Sequence, residues 1–220
     1  IVSNPPYSIR WDGDANPLLI NDPRFSPAGV LAPKSKADLA FTMHMLSWLS
    51  TPGTAAIVEF PGVLYRGGAE QKIRKYLIDN NYIDTVIQLP PDLFFGTTIA
   101  TCIIVLRKSK KDNSTLFIDA SAEFVRGGNK NKLTGANRKK ILEAFTGRTE
   151  TPYFARLVPN GEIAANDYNI AVSSYVEQEN TAEEVDITKL NLQIAEIVAR
   201  QHLLREAIDE IVADLEGGRS

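Results

Sequence analysis

Short apolar runs in this chain stop, one after another, on proline, and that punctuation limits the possible folds more than any other feature. Ile1-Val2 leads into Asn4-Pro5-Pro6-Tyr7, Ala55–Phe60 into Pro61-Gly62, and Ile83–Leu89 into Pro90-Pro91. Proline fixes its own φ, has no N–H for a ladder and keeps the preceding residue out of the helical region. Each run therefore reads as a strand with a forced end. Between them, Leu39–Leu49 reads as a helix capped by Asp38, with Leu39, Met43, Leu46, Trp48 and Leu49 near helical spacing. Ala69–Asn80 reads as an amphipathic helix with Ile73, Tyr76 and Leu77 inward. Ile99–Leu106 is the most β-prone run, and Leu116–Ile118 adds a shorter strand. Strands alternating with helices indicate a largely parallel α/β sheet, whose ligands bind beyond the strands' C-terminal ends, where the proline turns lie.

Past about Ala120 the sheet pattern stops. Asn129–Phe145 reads as a basic loop leading into a short helix with Ile141, Leu142 and Phe145 on its apolar face, and Glu162–Asn169 as a short helical turn. Earlier, Ser8–Lys36 is rich in Asp, Asn, Pro and Gly, a long irregular stretch of the kind that is often functional and is expected to be mobile. At the far end, Ile187, Leu190, Ile194, Ile197, Leu204, Ile208, Ile211 and Leu215 follow steps of three and four, interrupted by Gln201. That is a coiled-coil seam with Asp186 as its N-cap; the competing arrangement folds the helix back on its own domain.

Of 220 residues, 44% are hydrophobic and 23% charged, which fits a globular chain with a sizeable core. No apolar run approaches the roughly 20 residues needed to span a membrane, and no signal peptide is expected. One cysteine, Cys102, lies inside an apolar strand, so a disulfide framework is excluded and a reducing, cytoplasmic setting expected. A single cysteine with two scattered histidines, His44 and His202, argues against a zinc or iron site. The net charge of −3 conceals segregation. Arg107–Lys140 holds ten bases and three acids, Glu177–Glu216 eleven acids and three bases. The basic stretch could track phosphates, or both could be solvated faces.

Asn4-Pro5-Pro6-Tyr7 is a motif of enzymes that methylate amino nitrogens, and its residue types suit that chemistry. An amide-like or aniline-like nitrogen is a poor nucleophile because its lone pair is delocalised. Two acceptors, the Asn4 side-chain oxygen and the Pro5 carbonyl, would hold the NH2 hydrogens and leave the lone pair aimed at an electrophilic methyl group. Catalysis is then orientation and electrostatics. Tyr7 offers a flat face for a base taken out of a duplex. Alone, the tetrapeptide is also an ordinary proline turn. No G-x-G loop follows a strand; Gly67-Gly68 and Gly127-Gly128 read as pairs in loops, neither opening a helix after a strand.

Taken in order, several segments carry a family resemblance. They are NPPY at Asn4–Tyr7, APKSKADLAF at Ala32–Phe41, GVLYRGGAEQKIRKYL at Gly62–Leu77, IQLPPDLFFGTTIATCIIVL at Ile87–Leu106, LFIDAS at Leu116–Ser121 and EIAANDYNI at Glu162–Ile170. The chain resembles the C-terminal part of the methylation subunit of Type I restriction-modification systems, an adenine-specific DNA methyltransferase. The resemblance implies the C-terminal half of a doubly wound methyltransferase sheet followed by a helical extension, with Ile99–Leu106 as a reversed strand. It implies residues 1–120 as the catalytic part, 121–176 as a basic and short-helix extension, and 177–220 as an acidic docking helix.

The implied donor is S-adenosylmethionine, whose glycine-rich loop lies upstream of NPPY in the family. The chain would therefore be a fragment without a complete cofactor site, inactive alone, with an exposed edge strand. Asn4, Pro5, Pro6 and Tyr7 would form the catalytic turn, with Tyr7 stacked on a flipped adenine. Arg66, Gly67, Gly68, Lys130, Lys132, Arg138 and Lys139 would approach base or backbone. The implied partners are double-stranded DNA, a specificity subunit on the terminal helix and a restriction subunit. Two other readings stay open: a non-catalytic assembly module, and a methyltransferase acting on RNA or a protein amide.

Overall fold

A computed structural model describes residues 1–179 and 187–217. By internal contacts the chain forms two units, Ile1–Glu179 and Asn180–Ser220.

In the first unit the proline-punctuated runs are strands. β1 (Val2–Ser3), β2 (Thr54–Glu59), β3 (Ile83–Gln88), β4 (Cys102–Arg107), β5 (Ser114–Asp119) and β8 (Ala155–Pro159) form one sheet in the order β1-β2-β4-β3-β5-β8. β1 runs parallel to β2 and β3 parallel to β5, while β4 lies antiparallel between β2 and β3. The sheet is thus mixed, not largely parallel. The expected reversed strand is present, but it begins at Cys102; Ile99–Thr101 belong to the preceding loop.

The sheet does not stop at Ala120. β8 pairs antiparallel with β5, from Ile118↔Ala155 to Ser114↔Pro159. Its sequence, Ala-Arg-Leu-Val-Pro, alternates too briefly for the period to register. Only its neighbour makes it a strand.

α1 (Asp38–Trp48) and α2 (Ala69–Asp79) cover one face, burying Leu39, Met43, Leu46, Ile73 and Leu77 against Ile57, Val86, Ile104 and Phe117. Asp38 does not cap α1: Ala37 occupies that position, with no side-chain bond. Tyr76 is half-buried against this core, and Arg74, which the apolar pattern did not include, is buried as well. Its Nε donates to Tyr168 O at 2.7 Å and its NH1 to Val63 O at 2.9 Å, satisfying a charge that burial disfavours.

On the other face α3 (Gly135–Gly147) covers β3, β5 and β8 with Ile141, Ala144 and Phe145; Leu142, expected inward, is exposed. Thr134 and Asn137 close α3 with a capping box. The presumed basic loop before it is a hairpin, β6 (Val125–Gly127) with β7 (Lys130–Lys132), and Gly128 takes the left-handed turn position at φ 64°. α4 (Asn160–Ala165) follows β8 directly.

The Ser8–Lys36 stretch is pinned. Trp11 meets Phe25 edge-on at 5.4 Å and donates from Nε1 to Pro33 O at 3.0 Å. Three single 3-10 turns lie between those anchors.

The second unit contains α5 (Ile187–Gly217). All eight seam residues are exposed, between 45% and 70%. The proposed cap Asp186 lies outside the described residues. No described helix is long and apolar enough to cross a membrane.

Candidate active site

Four parallel strands end at one edge of the sheet, and the NPPY turn stands at that edge directly after β1. Pro5 is buried, Asn4 and Pro6 are exposed, and Tyr7 is half-buried. The turn's exit is strained: Ser8 takes φ 51°, unusual for a residue with a side chain. Its N–H donates to Asp38 Oδ1 at 2.8 Å, and Asp38 is buried in the first turn of α1, where the helix dipole favours a carboxylate. Rigid prolines on one side and a buried carboxylate on the other thus fix where Asn4 points. The Tyr7 hydroxyl donates to Asn4 Oδ1 at 2.9 Å. A carboxamide oxygen has two acceptor sites, so this bond orients Asn4 and leaves capacity for a further donor.

Glu59 ends β2 beside the turn and is fully buried. Thr42 Oγ1 donates to its Oε1 at 2.7 Å, while Oε2 has no partner. Burial pushes its carboxyl up to about 8, against the opposing bond from Thr42. Burial also raises the Tyr7 hydroxyl, helped by Glu59 and Cys102, so that hydroxyl stays a donor. The sequence reading assigned Glu59 no role. Its signal was an acid in an apolar run, two residues past Ile57 and so on the same covered face.

The Gly62–Gly68 loop lies at the same edge, after β2. Arg66 is folded back, its guanidinium 5.2 Å from the Phe60 ring centroid and 3.6 Å from Glu70 Oε1. A Cβ at Gly62 would collide with it. Gly67 and Gly68 are exposed, and Gly68, at φ 69°, is the residue from which α2 starts. The pair does open a helix, contrary to the sequence reading, because the single turn Pro61–Leu64 intervenes between strand and glycines.

The basic stretch is divided by the fold. β4 runs opposite to its neighbours, so Arg107, Lys108, Lys110 and Lys111 emerge at the far edge, away from NPPY. There Lys110 donates to Ile83 O and Ser114 O, and burial lowers its ammonium to about 8. Lys130 and Lys132 sit on the hairpin; Lys130 is engaged with Asp92, while Lys132 is exposed, its stem over Gly127. Arg138 and Lys139 are exposed on α3, Lys139 3.6 Å from Glu143; their neighbours Asn137 and Lys140 are held by Glu123, just past β5. One further residue escaped the sequence reading: Phe95, in the loop between β3 and β4, is 96% exposed at the edge that carries NPPY. A doubled phenylalanine before a glycine, in a loop that ends on an apolar strand, was the available sign.

On the face that α3 covers only over β3, β5 and β8, the sheet carries an open groove beside Asn4, lined by Val2, Ser3, Asn4, Ala56, Val58 and Ile103. Val2 is 86% exposed. The lining is apolar apart from Ser3 and Asn4, with no acid for ribose hydroxyls and no glycine loop.

Residues 1–184 match the family model described as N-6 DNA Methylase. The chain is 50% identical over 216 residues to the Mycoplasma pneumoniae Type I restriction enzyme MpnII methylase subunit, covering 98% of this chain and 40% of that protein. It is 32% identical to the MjaVII methylase subunit of Methanocaldococcus jannaschii, covering 98% and 38%. Among solved structures, the type I restriction-modification methyltransferase subunit from Streptococcus thermophilus superposes with a TM-score of 0.77 at 47% identity, over 80% of this chain and 37% of that one. The M protein of Type I restriction enzyme EcoKI shares the fold, with a TM-score of 0.60 at 17% identity, over 93% of this chain and 49% of that one. The chain spans about two fifths of the length of the curated relatives it matches.

Proposed function

The chain belongs to the N-6 DNA methylase family and is a homologue of Type I methylase subunits, and from that premise we propose that it carries the amine-holding half of an adenine-N6 methyltransferase site. The observation that carries this reading is the fixed NPPY turn, with Asn4 outward at the strand-end edge and Tyr7 bonded to it. In this reading the Asn4 oxygen and the Pro5 carbonyl accept the two hydrogens of the exocyclic amine. Asn4 is prevented from rotating away by the Tyr7 hydroxyl. Tyr7 stacks on the flipped base, worth about 1–3 kcal/mol per base. Phe95 offers a second aromatic surface from the neighbouring loop.

Family membership implies S-adenosylmethionine as the donor, which supplies the electrophilic methyl group. The apolar groove beside Asn4 supports the sheet as the second half of a doubly wound methyltransferase, with further chain completing the donor site. Backbone amides at Gly67-Gly68 and the exposed Lys132, Arg138 and Lys139 suit phosphates; Arg66, tied to Glu70, serves the loop's shape. The partners this reading names are double-stranded DNA, a specificity subunit on α5 and a restriction subunit in the full complex.

The test is Asn4→Ala in the intact methylation subunit, assayed on its duplex with labelled donor. Loss of about 100-fold or more in transfer, with unchanged DNA binding, is expected; near-normal transfer removes Asn4 from the site. Competition between duplex DNA, RNA and peptide separates adenine from other amine substrates. A second reading, an assembly module, is favoured by the eight exposed seam residues of α5.

A further inference from the structure

Between β3 and β4, the segment Pro91–Thr98 leaves the strand-end edge and returns to it. Asp92 N donates to Thr98 O at 3.2 Å, and Leu89 N to Thr101 O at 2.9 Å, closing the loop on itself. Asp92 takes φ 62° and Gly96 φ 77°, so the loop's shape is demanding at two positions.

The β6–β7 hairpin grips this loop from the side. Arg126 NH1 donates to Asp92 Oδ2 at 2.8 Å. Lys130 Nζ donates to Asp92 Oδ1 at 3.0 Å and to Thr97 O at 3.0 Å. Asn131, itself buried, donates from its backbone N to Asp92 O at 3.0 Å and from Nδ2 to Pro91 O at 2.9 Å. Half-exposed ion pairs are individually weak. Here two of them share one carboxylate and flank a buried amide, whose loss would leave the Pro91 carbonyl without its partner. Phe95 rides at the tip, uncovered. Apolar rings left free on a loop tend to collapse onto other apolar surface. This one is held outward.

The geometry points to the β6–β7 hairpin as a splint for the Pro91–Thr98 loop, with Arg126, Lys130 and Asn131 as positioning residues that close on Asp92 and hold Phe95 out at the target-base edge, not as phosphate contacts. It rests on the reading that this edge receives a flipped base. The hydrogen bonds from Arg126, then Lys130, hold the Asp92 carboxyl below its ordinary range, so the latch stays ionised and closed.

Asp92→Asn separates a splint from a phosphate clamp because the two predict opposite signs. If Arg126 and Lys130 are phosphate contacts, removing their competing carboxylate tightens DNA binding and steepens the salt dependence, by about 0.9 in log–log slope per added contact. A splint leaves that slope unchanged and slows single-turnover methylation about 10- to 100-fold in the intact subunit, with Phe95→Ala giving a similar loss and the double variant no further one. Tightened binding overturns the proposal.

A DNA-free readout uses the 220-residue chain itself: amide hydrogen exchange at Asp92 and Asn131. Acceleration of about tenfold or more in Asp92→Asn and Asn131→Ala is expected; unchanged exchange in both overturns the splint whatever DNA does. Accelerated exchange in a subunit that methylates no adenine would uphold the splint and overturn the functional reading.

Discussion

Glu59 is a carboxyl whose chemistry departs far from that of a free one. It is a carboxyl with one oxygen on Thr42 and one on nothing, inside a sheet, within electrostatic reach of Tyr7. Burial raises it from 4.5 to about 8. Between those values the folded chain keeps a proton that the unfolded chain releases. Stability is therefore intact below the lower value, falls as pH rises through the window, and levels off above the upper one. The slope is about 1.4 kcal/mol per pH unit at its steepest. Glu59→Gln keeps an acceptor for Thr42 and has no proton to lose. Urea midpoints of the two proteins should coincide near pH 4.5 and separate towards pH 8, with the glutamine variant the more stable. Parallel curves would show that Glu59 ionises freely in the fold. NPPY itself was legible in the sequence because proline's constraints are local. Glu59 was not, because its burial depends on α1, a helix formed by residues well before it.

Elements were easiest to read where period and punctuation agreed. α1, α2, β2 and β3 lie within a residue or two of their expected bounds, since their ends are set by Pro, Gly or Asn nearby. β8 escaped, and α4, read as a short turn over Glu162–Asn169, starts earlier at Asn160, because a tertiary junction sets both. Asn160, buried where β8 passes into α4, accepts from Thr115 Oγ1 at 3.0 Å. Its Nδ2 donates to Ile78 O at 3.2 Å and to Asn81 Oδ1 and Asn113 Oδ1, each at 3.0 Å. One side chain thus joins the end of α2, the start of β5 and the edge strand. Asn160→Leu should cost on the order of 1–3 kcal/mol in urea unfolding, because the buried Thr115 hydroxyl and Ile78 carbonyl lose a partner at once. A change under 0.5 kcal/mol would mean the edge strand is held by packing alone. Arg74 makes the companion link, joining the Gly62–Leu64 turn to Tyr168. A helical wheel cannot reveal it, since a long cation at an inward position looks like an exposed one.

At the scale of the molecule, charge segregation and the seam had different fates. The basic stretch, continuous along the chain, is split between the two edges because β4 runs backwards. The seam stays whole: α5 is 31 residues, about 46 Å of helix, with its Ile and Leu residues uncovered. A helix of that composition gains most from a partner. Removing residues 180–220 should leave the first unit folded, because its core lies within residues 1–179, and, on the proposed docking role of α5, should abolish co-purification with the specificity subunit. Retained co-purification would place the docking surface elsewhere.

The sequence by itself determined the strands that end on proline, the helices between them, the NPPY turn and the heptad stripe. Each follows from constraints that act within a few residues. Only the tertiary structure decided the mixed sheet order, the edge strand β8, the burial of Glu59 and Arg74, and the grip of the hairpin on the Phe95 loop. Those depend on partners tens of residues away, and no local period records which distant group will satisfy a buried charge.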